Sequence, residues 1–433
     1  GEYMNGTVNT TIQELVKNIN SVYNTPVAMV AENIKLEKLE TGIFEIDYKL
    51  KGGIPRGRWV IAVGNESTFK STFAYIVAGR AQRICGNCMT GTINEKNHKK
   101  VSVILNEKSN DYVEYKNNKY YSKAYLADSK KRTLYIPGEV IYHQKSFKAY
   151  QYEIECSNCN SPDYSIALIA DSEHNYTKEW AIKFNIIHGR VILTLPEYSE
   201  QAGEITREVL STGRCSIIVV DSVPSLAPKI ENEVSFEEQQ MAIQARIWNK
   251  IVRVLTAMLN KSFIYNYNDK VTGEKVLITR RPEPIILVIQ QWREKIGAYG
   301  DPNTMTAGKG LKFASSLTIE FSISEYDYED KKSKKLNGIW FSFLLKKSKV
   351  VNTLTNGRFY FDLKNYEIVN EYNIVDTAIE KGIIRQSGAW FIYSDIKYQG
   401  KSALIKKLIE MNEIEKLKKK ILELEEKDND TEV

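Results

Sequence analysis

The sequence predicts an α/β fold with a mostly parallel sheet flanked by helices. Three observations carry that expectation. Four near-continuous apolar runs, WVIAVG at 59–64, IALIAD at 166–171, SIIVVD at 216–221 and IILVIQ at 285–290, have the length and composition of strands buried on both faces. Stretches with apolar residues at helical spacing separate them. The first run ends in a glycine-led turn containing Lys70 and Ser71 and then opens a helical stretch, the context a phosphate-binding loop requires.

The chain has 433 residues, which at roughly 150 per domain implies two to three domains and excludes a peptide or single small module. Hydrophobic residues make up 42% and charged residues 26%, close to globular averages, and no apolar run approaches the roughly 18–20 residues that span a bilayer. No membrane association is expected. Sixty Lys and Arg against 54 Asp and Glu leave a net charge of +6, compatible with a basic patch without demanding one. Gly1-Glu2-Tyr3 ahead of Met4 is set aside as foreign to the fold, and the start lacks the features of a secretory leader, so a cytoplasmic location is expected.

In chain order, residues 11–23 place Ile12, Leu15, Ile19 and Val22 on one face of a helix that Thr10 or Thr11 can cap. This helix belongs to an N-terminal segment, 4–38. The α/β core is read as 39–84 and 160–325, closed by 326–365. A Tyr- and Lys-rich β module, 85–159, interrupts it, and a hairpin insertion, 260–284, centres on Asn-Asp-Lys-Val-Thr-Gly. A small α/β C-terminal domain, 366–433, ends in a helix that turns acidic.

The chemistry-bearing motif is Gly64-Asn65-Glu66-Ser67-Thr68-Phe69-Lys70-Ser71-Thr72. Its backbone N–H groups and the helix start would cradle phosphates, Lys70 would neutralise the β/γ oxygens and Ser71 would ligate Mg²⁺. Phe69 stands where a glycine normally precedes the lysine, so an ordinary strand-turn-helix stays open on this motif alone. Asp221 ends a buried strand, where an acid would hold Mg²⁺ or its water, although a strand ending in Asp is common. Glu173, after the intervening strand, could orient a water for attack, or be a solvated loop residue.

These residues resemble the RecA-type recombinases, most closely phage members of the UvsX kind, in which a Phe also precedes the lysine. The resemblance runs through LETGIFEIDYKLKGGIPRGRWVIAVGNESTFKST, IALIADSEHNYTKEW, IIVVDSVPSLAPKIENE and MAIQARIWNKIVRVL. Its most specific stretch is IILVIQQWREKIGAYGDPNTMTAGKGLKF. It implies that Glu173 is the catalytic base, Trp180 stacks on adenine and Gln291 senses the γ-phosphate. Lys347 and Lys349 would reach a neighbouring subunit's ATP, with Lys346 leaving that register open by one. Arg246, Arg253, Arg293, Lys295, Gly308, Lys309 and Gly310 would contact DNA, and Phe313 would lie at a subunit interface. KGIIRQSGAWFIYSDIKYQGKSALIKKL is similar to the family's C-terminal domain, and the N-terminal helix to an arm that packs on the adjacent protomer.

The resemblance therefore implies an ATP- and Mg²⁺-dependent enzyme that forms a helical filament on single-stranded DNA and pairs it with a duplex. A single-strand-binding or loader protein would be a further partner. A RadA-like branch-migration motor is the rival within the enzymes. A DNA-binding filament that holds ATP without turnover is the rival outside them.

Five cysteines are too few for a disulfide scaffold of this size. Four form two Cys-x-x-Cys pairs, Cys85/Cys88 and Cys156/Cys159, the donor set of a closed, structural Zn²⁺ site, with unliganded thiols and redox chemistry as alternatives. The segment between the pairs could stack bases and meet phosphates, or be a surface β module, and the hairpin with Arg280 and Arg281 is open in the same way. His98, His143 and His188 read as ordinary histidines, and Cys215 as a packed apolar residue.

Overall fold

The computed structural model describes residues 11–23, 27–29, 31, 36–104, 113–115, 118–121, 126–128, 133–137, 141–142, 146–232, 241–294, 303–305, 308–330, 335–394 and 396–431. The chain divides into two compact units, one of Gly1–Leu39, Pro55–Ile61 and Ser71–Ser316, the other of Glu40–Ile54, Ala62–Lys70 and Leu317–Val433.

In the first unit the strands Val191–Thr194, Ile166–Asp171, Cys215–Asp221 and Ile285–Gln291 lie side by side in that order, followed by the Trp59 end of Trp59–Gly64. The three pairings among the first four are parallel. Parallel neighbours need crossovers, and the helices Ser199–Ser211 and Met241–Leu259 lie in the connections. Cys215–Asp221 is buried along its whole length, which is why it reads as unbroken apolar sequence. Cys215 itself is 1% exposed, and burial pushes its thiol up to about 12. The register sets Asp171 opposite Asp221, so two carboxylates end adjacent strands.

Met241–Leu259 buries Trp248, Ile251, Val252, Leu255 and Leu259. Arg246 and Arg253, two turns apart, share its exposed face. Early in the chain, the helix Ile12–Tyr23 starts with a reciprocal cap. Thr11 accepts from the Glu14 N–H at 3.3 Å, and the Thr11 N–H donates to Glu14 Oε2 at 2.9 Å. Ile12, Leu15, Val22 and Tyr23 on this helix are exposed.

Between the cysteine pairs, Ile93–Ile104 runs antiparallel to Ser146–Cys156, with a register shift between Gln151 and Glu153. Ser146–Cys156 also pairs with Thr133–Pro137, which pairs with Leu126–Asp128, completing a four-stranded antiparallel sheet. Val113–Tyr115, Asn118–Tyr121 and Ile141–Tyr142 form a three-stranded one. Phe263–Asn268 pairs antiparallel with Lys275–Arg280 as a hairpin.

In the second unit Leu317–Asp330, Lys335–Ser348, Asn356–Asp362 and Glu367–Ile368 form an antiparallel meander. The C-terminal segment adds the helices Asn370–Glu380, Lys401–Glu410 and Ile414–Thr431 around Ile374, Val375, Leu404, Leu408, Leu417 and Ile421. Phe44, from the distant helix Phe44–Lys49, joins this cluster, and its N–H donates to Asn370 Oδ1 at 2.8 Å. Among the described residues no helix is long and apolar enough to cross a membrane.

Candidate functional site

The loop after Trp59–Gly64 is built from strained and packed residues together. Ser67 and Phe69 hold positive φ angles of 57° and 77°, which L side chains adopt only when surroundings enforce them. The Phe69 ring supplies that enforcement. It is 6% exposed and lies 4.8 Å from Phe341, 5.0 Å from Phe359, 5.4 Å from Phe361 and 6.3 Å from Phe321, centroid to centroid. Gly64 is needed for a different reason, since a Cβ there would lie 2.4 Å from the Phe321 carbonyl oxygen and 2.6 Å from Thr68 Oγ1.

Asn65, Glu66 and Ser67 form the exposed crest of the loop, while Thr68, Phe69 and Lys70 are buried. Thr68 Oγ1 donates to the Asn65 carbonyl at 2.7 Å, and the Lys70 ammonium donates to the same oxygen. Lys70 opens the helix Lys70–Ala81, with half-buried Ser71 and Thr72 in its first turn. Backbone N–H groups, a helix start and an ammonium thus gather at one turn, the donor set for a polyphosphate.

In the first unit, Asp171 and Asp221 are each 2% exposed. Asp171 accepts backbone N–H bonds from Glu173, Asn175 and Tyr176 at 3.3, 3.2 and 2.8 Å, folding the following loop back on the strand end. That loop presents Glu173, whose Oε1 accepts from the Ser222 hydroxyl and, at 3.1 Å, from Ser225. Asn175 Nδ2 donates to its Oε2 at 3.1 Å. Ser172 Oγ donates to the Asp221 and Ser222 carbonyls at 3.1 and 2.9 Å, tying the two strand ends. Glu173 is therefore an oriented carboxylate and not a loose loop residue. Asp171, Asn175, Ser222 and Ser225, which orient it, were missed in the sequence; the Asp ending IALIAD was the available signal.

Gln291 ends its strand half-buried, and its neighbour Gln290 is fully buried. Thr177 Oγ1 caps the helix Lys178–Lys183 by accepting the Trp180 N–H at 3.3 Å, and Trp180 is half-buried, with the Phe184 ring 5.2 Å away. His188 Nδ1 lies 3.0 Å from the Tyr176 hydroxyl, and burial lowers its pKa to about 4. Tyr75 contacts Tyr176 edge-on at 5.7 Å, and burial beside Asp221 and Asp171 pushes its hydroxyl up.

Of the expected DNA contacts, Arg246, Arg253 and Lys309 are exposed, and Gly310 and Gly308 lie in the helix Gly308–Ala314. Arg293 is in a short strand pairing with Thr304. Lys295 and His143 lie outside the described residues. Phe313 is 69% exposed, a large apolar ring on the surface of its helix. In the second unit Lys346 is engaged by Glu320 at 3.1 Å, whereas Lys347 is half-buried and Lys349 exposed.

The four cysteines converge. Cys85, Cys88, Cys156 and Cys159 are buried, and their sulfurs all lie within 4.8 Å of one another, with Cys85–Cys159 and Cys88–Cys156 at 3.7 Å. Four thiolates about 2.3 Å from a tetrahedral Zn²⁺ have edges of about 3.8 Å, so the donor set and its spacing fit that ion. Each pair is a knuckle turn whose amides face sulfur. Asn87 N–H donates to Cys85, Gly91 N–H to Cys88 and Asn158 N–H to Cys156, at 3.4, 3.4 and 3.3 Å. A Cβ at Gly91 would lie 2.4 Å from Cys156 Sγ.

A family model of the RecA N-terminal domain matches residues 155–356, and one of the RecA C-terminal domain matches 372–424. The first match contains Glu173, Asp221 and Gln291, while the 64–72 loop precedes it. Protein RecA of Malacoplasma penetrans is 31% identical over 304 residues, covering 68% of this chain and 84% of that protein. The RecA proteins of Chloroherpeton thalassium and Clostridium acetobutylicum are each 31% identical, over 57% and 53% of this chain. The chain spans 63% and 60% of the length of those two. All three are bacterial, so the expected closeness to phage members rests on the quoted motifs. Two consecutive domain matches and a relative covered over most of its length establish that this chain belongs to the RecA family.

Proposed function

We propose that the chain is a DNA-dependent ATPase that forms a helical filament on single-stranded DNA and promotes homologous pairing and strand exchange with a duplex, in the cytoplasm. The observation that carries this reading is the fixed Glu173 beside the paired strand ends Asp171 and Asp221. Carboxylates at the ends of parallel strands are where phosphoryl-transfer enzymes of this class keep their acid chemistry.

On this reading the 64–72 loop holds the phosphates, with Lys70 neutralising the β/γ oxygens. Ser71 and Asp221 would hold Mg²⁺; a hydroxyl and a carboxylate are the hard oxygen donors it takes. The ion supplies charge neutralisation at the phosphates. Glu173 accepts the proton of a water attacking the γ-phosphorus, the bond to the β–γ bridging oxygen breaks, and ADP and phosphate leave. Ser222 and Ser225 hold one carboxylate oxygen by donation, and Asn175 the other, which limits Glu173 to few orientations.

Trp180 would stack on adenine and Gln291 would report the γ-phosphate to the segment bearing Arg293 and Lys295. Arg246, Arg253, Arg293, Lys295 and the Gly308–Gly310 helix start would meet DNA phosphates. Exposed Phe313, half-buried Lys347, exposed Lys349 and the apolar face of Ile12–Tyr23 would face adjacent protomers in the filament. The cysteine centre would hold structural Zn²⁺. Glu173→Gln tests the enzyme against the ATP-holding filament: DNA binding kept with turnover lost supports the enzyme reading, and unchanged turnover contradicts it.

A further inference from the structure

Resting on the metal reading above, we propose that the four-cysteine centre is the docking site of the chain's own hairpin, 263–280, so that metal loading fixes the two insertions into one arm. The two are far apart in sequence, and their meeting is a finding of the fold. Three contacts join the knuckles to the hairpin's tip. Tyr267 packs against the buried cluster that contains all four cysteines with Ile93, Ile154, Tyr164 and Ile187. The Lys270 N–H donates to the Asn158 carbonyl at 3.0 Å. Lys270 Nζ bonds Glu155 Oε1 at 2.8 Å, an oxygen that Lys96 Nζ also reaches at 3.2 Å.

Asn158 lies between the ligands Cys156 and Cys159. Its N–H donates to Cys156 Sγ at 3.3 Å while its carbonyl receives Lys270. The path from metal-bound sulfur to hairpin tip is therefore two hydrogen bonds through one residue. A Zn²⁺ shared by the four sulfurs would fix their tetrahedral spacing, so the knuckle's shape, and with it the direction of the Asn158 carbonyl, would depend on the metal.

The base of the hairpin is held by other means. Tyr265 OH donates to the Gly213 carbonyl at 2.6 Å, Arg56 Nη2 to the Pro282 carbonyl at 2.9 Å, and Gly57 N–H to the Glu283 carbonyl at 3.0 Å. None of these bonds involves a cysteine, and Met89, next to Cys88, adds apolar packing with Tyr265, Phe263 and Ile278. Metal loss should free the tip, 266–275, and leave the strand Ile285–Gln291 in place.

Hydrogen exchange on the full chain tests this, with zinc content measured on the same samples. Stripping zinc with a chelator should speed exchange of the 266–275 amides by about tenfold or more, and leave 285–291 unchanged. Lys270→Ala, still zinc-loaded, should speed the tip alone, and Lys270→Arg should restore much of the protection. Unchanged tip exchange after zinc is shown to be gone overturns the docking proposal while leaving the metal reading intact. A chain that holds no zinc as purified or after reconstitution overturns the metal reading and the proposal with it. Native tip exchange in the Tyr267→Ala, Lys270→Ala double variant also overturns the docking.

Discussion

The Phe69 ring packs 4.8 Å from that of Phe341 while the Phe69 backbone holds φ at 77°. The position that favours glycine for its backbone is thus occupied by a residue whose side chain is the anchor of the loop. A non-glycine residue in this region costs about 1–3 kcal/mol, and burying an aromatic ring in a cluster of four others offsets a cost of that size.

Phe69→Ala should therefore destabilise the fold by about 3–5 kcal/mol, read as a lower midpoint in denaturant unfolding. Phe69→Gly should cost roughly 1 kcal/mol less than the alanine variant, because it relieves the backbone while losing the same ring. Equal stability of the wild type and Phe69→Gly would show that the aromatic cluster contributes little.

Glu173→Gln should lower the ATP turnover number by about 10²–10⁴-fold with nucleotide affinity nearly unchanged. Asn175→Ala and Ser225→Ala should give smaller losses in turnover, since each removes one bond that orients Glu173. Steady-state kinetics with a direct nucleotide-binding titration separates the two effects.

Gly91→Ala should impair zinc retention. The added methyl would enter the space of Cys156 Sγ, 2.4 Å away, and Ser157 Oγ, 2.9 Å away, so the knuckles must part for it to fit. Zinc release to a colorimetric chelator should be faster than from the wild type, and an unaltered release rate would contradict the knuckle geometry.

Glu45 gives a pH dependence with a definite sign. Burial, with Glu380 and Asp376 nearby, raises its pKa from 4.5 to about 7 against the opposing effects of Lys49 and Asn373. The folded state then binds the proton more tightly than the unfolded state, so stability falls as pH rises from about 4.5 to about 7. Glu45→Gln should flatten that fall, gaining on the order of 2 kcal/mol over the wild type above pH 7. Denaturant unfolding at pH 5 and pH 8 checks it.

Much of the parallel-sheet core was legible in sequence because its strands are buried on both faces and so read as unbroken apolar runs, as in IALIAD and SIIVVD. The convergence of the cysteines was legible from two short spacings. What the sequence did not show depends on contacts across long separations. Nothing near Phe69 announces the four phenylalanines, 321, 341, 359 and 361, that hold it. Phe44 joins the helices after 370, and Lys270 meets Asn158, through bonds between residues more than 100 positions apart. The roles of Ser222 and Ser225 depend on which strand lies beside which, an order that the sequence leaves undetermined.

The central claim is that the 64–72 loop and Glu173 serve a DNA-coupled ATPase. ATP hydrolysis by the wild type and Lys70→Ala, with and without single-stranded DNA at low salt, tests it most directly. The prediction is turnover stimulated strongly by DNA in the wild type and abolished by the substitution. Wild-type hydrolysis absent in both conditions, or equal in the two proteins, would contradict it.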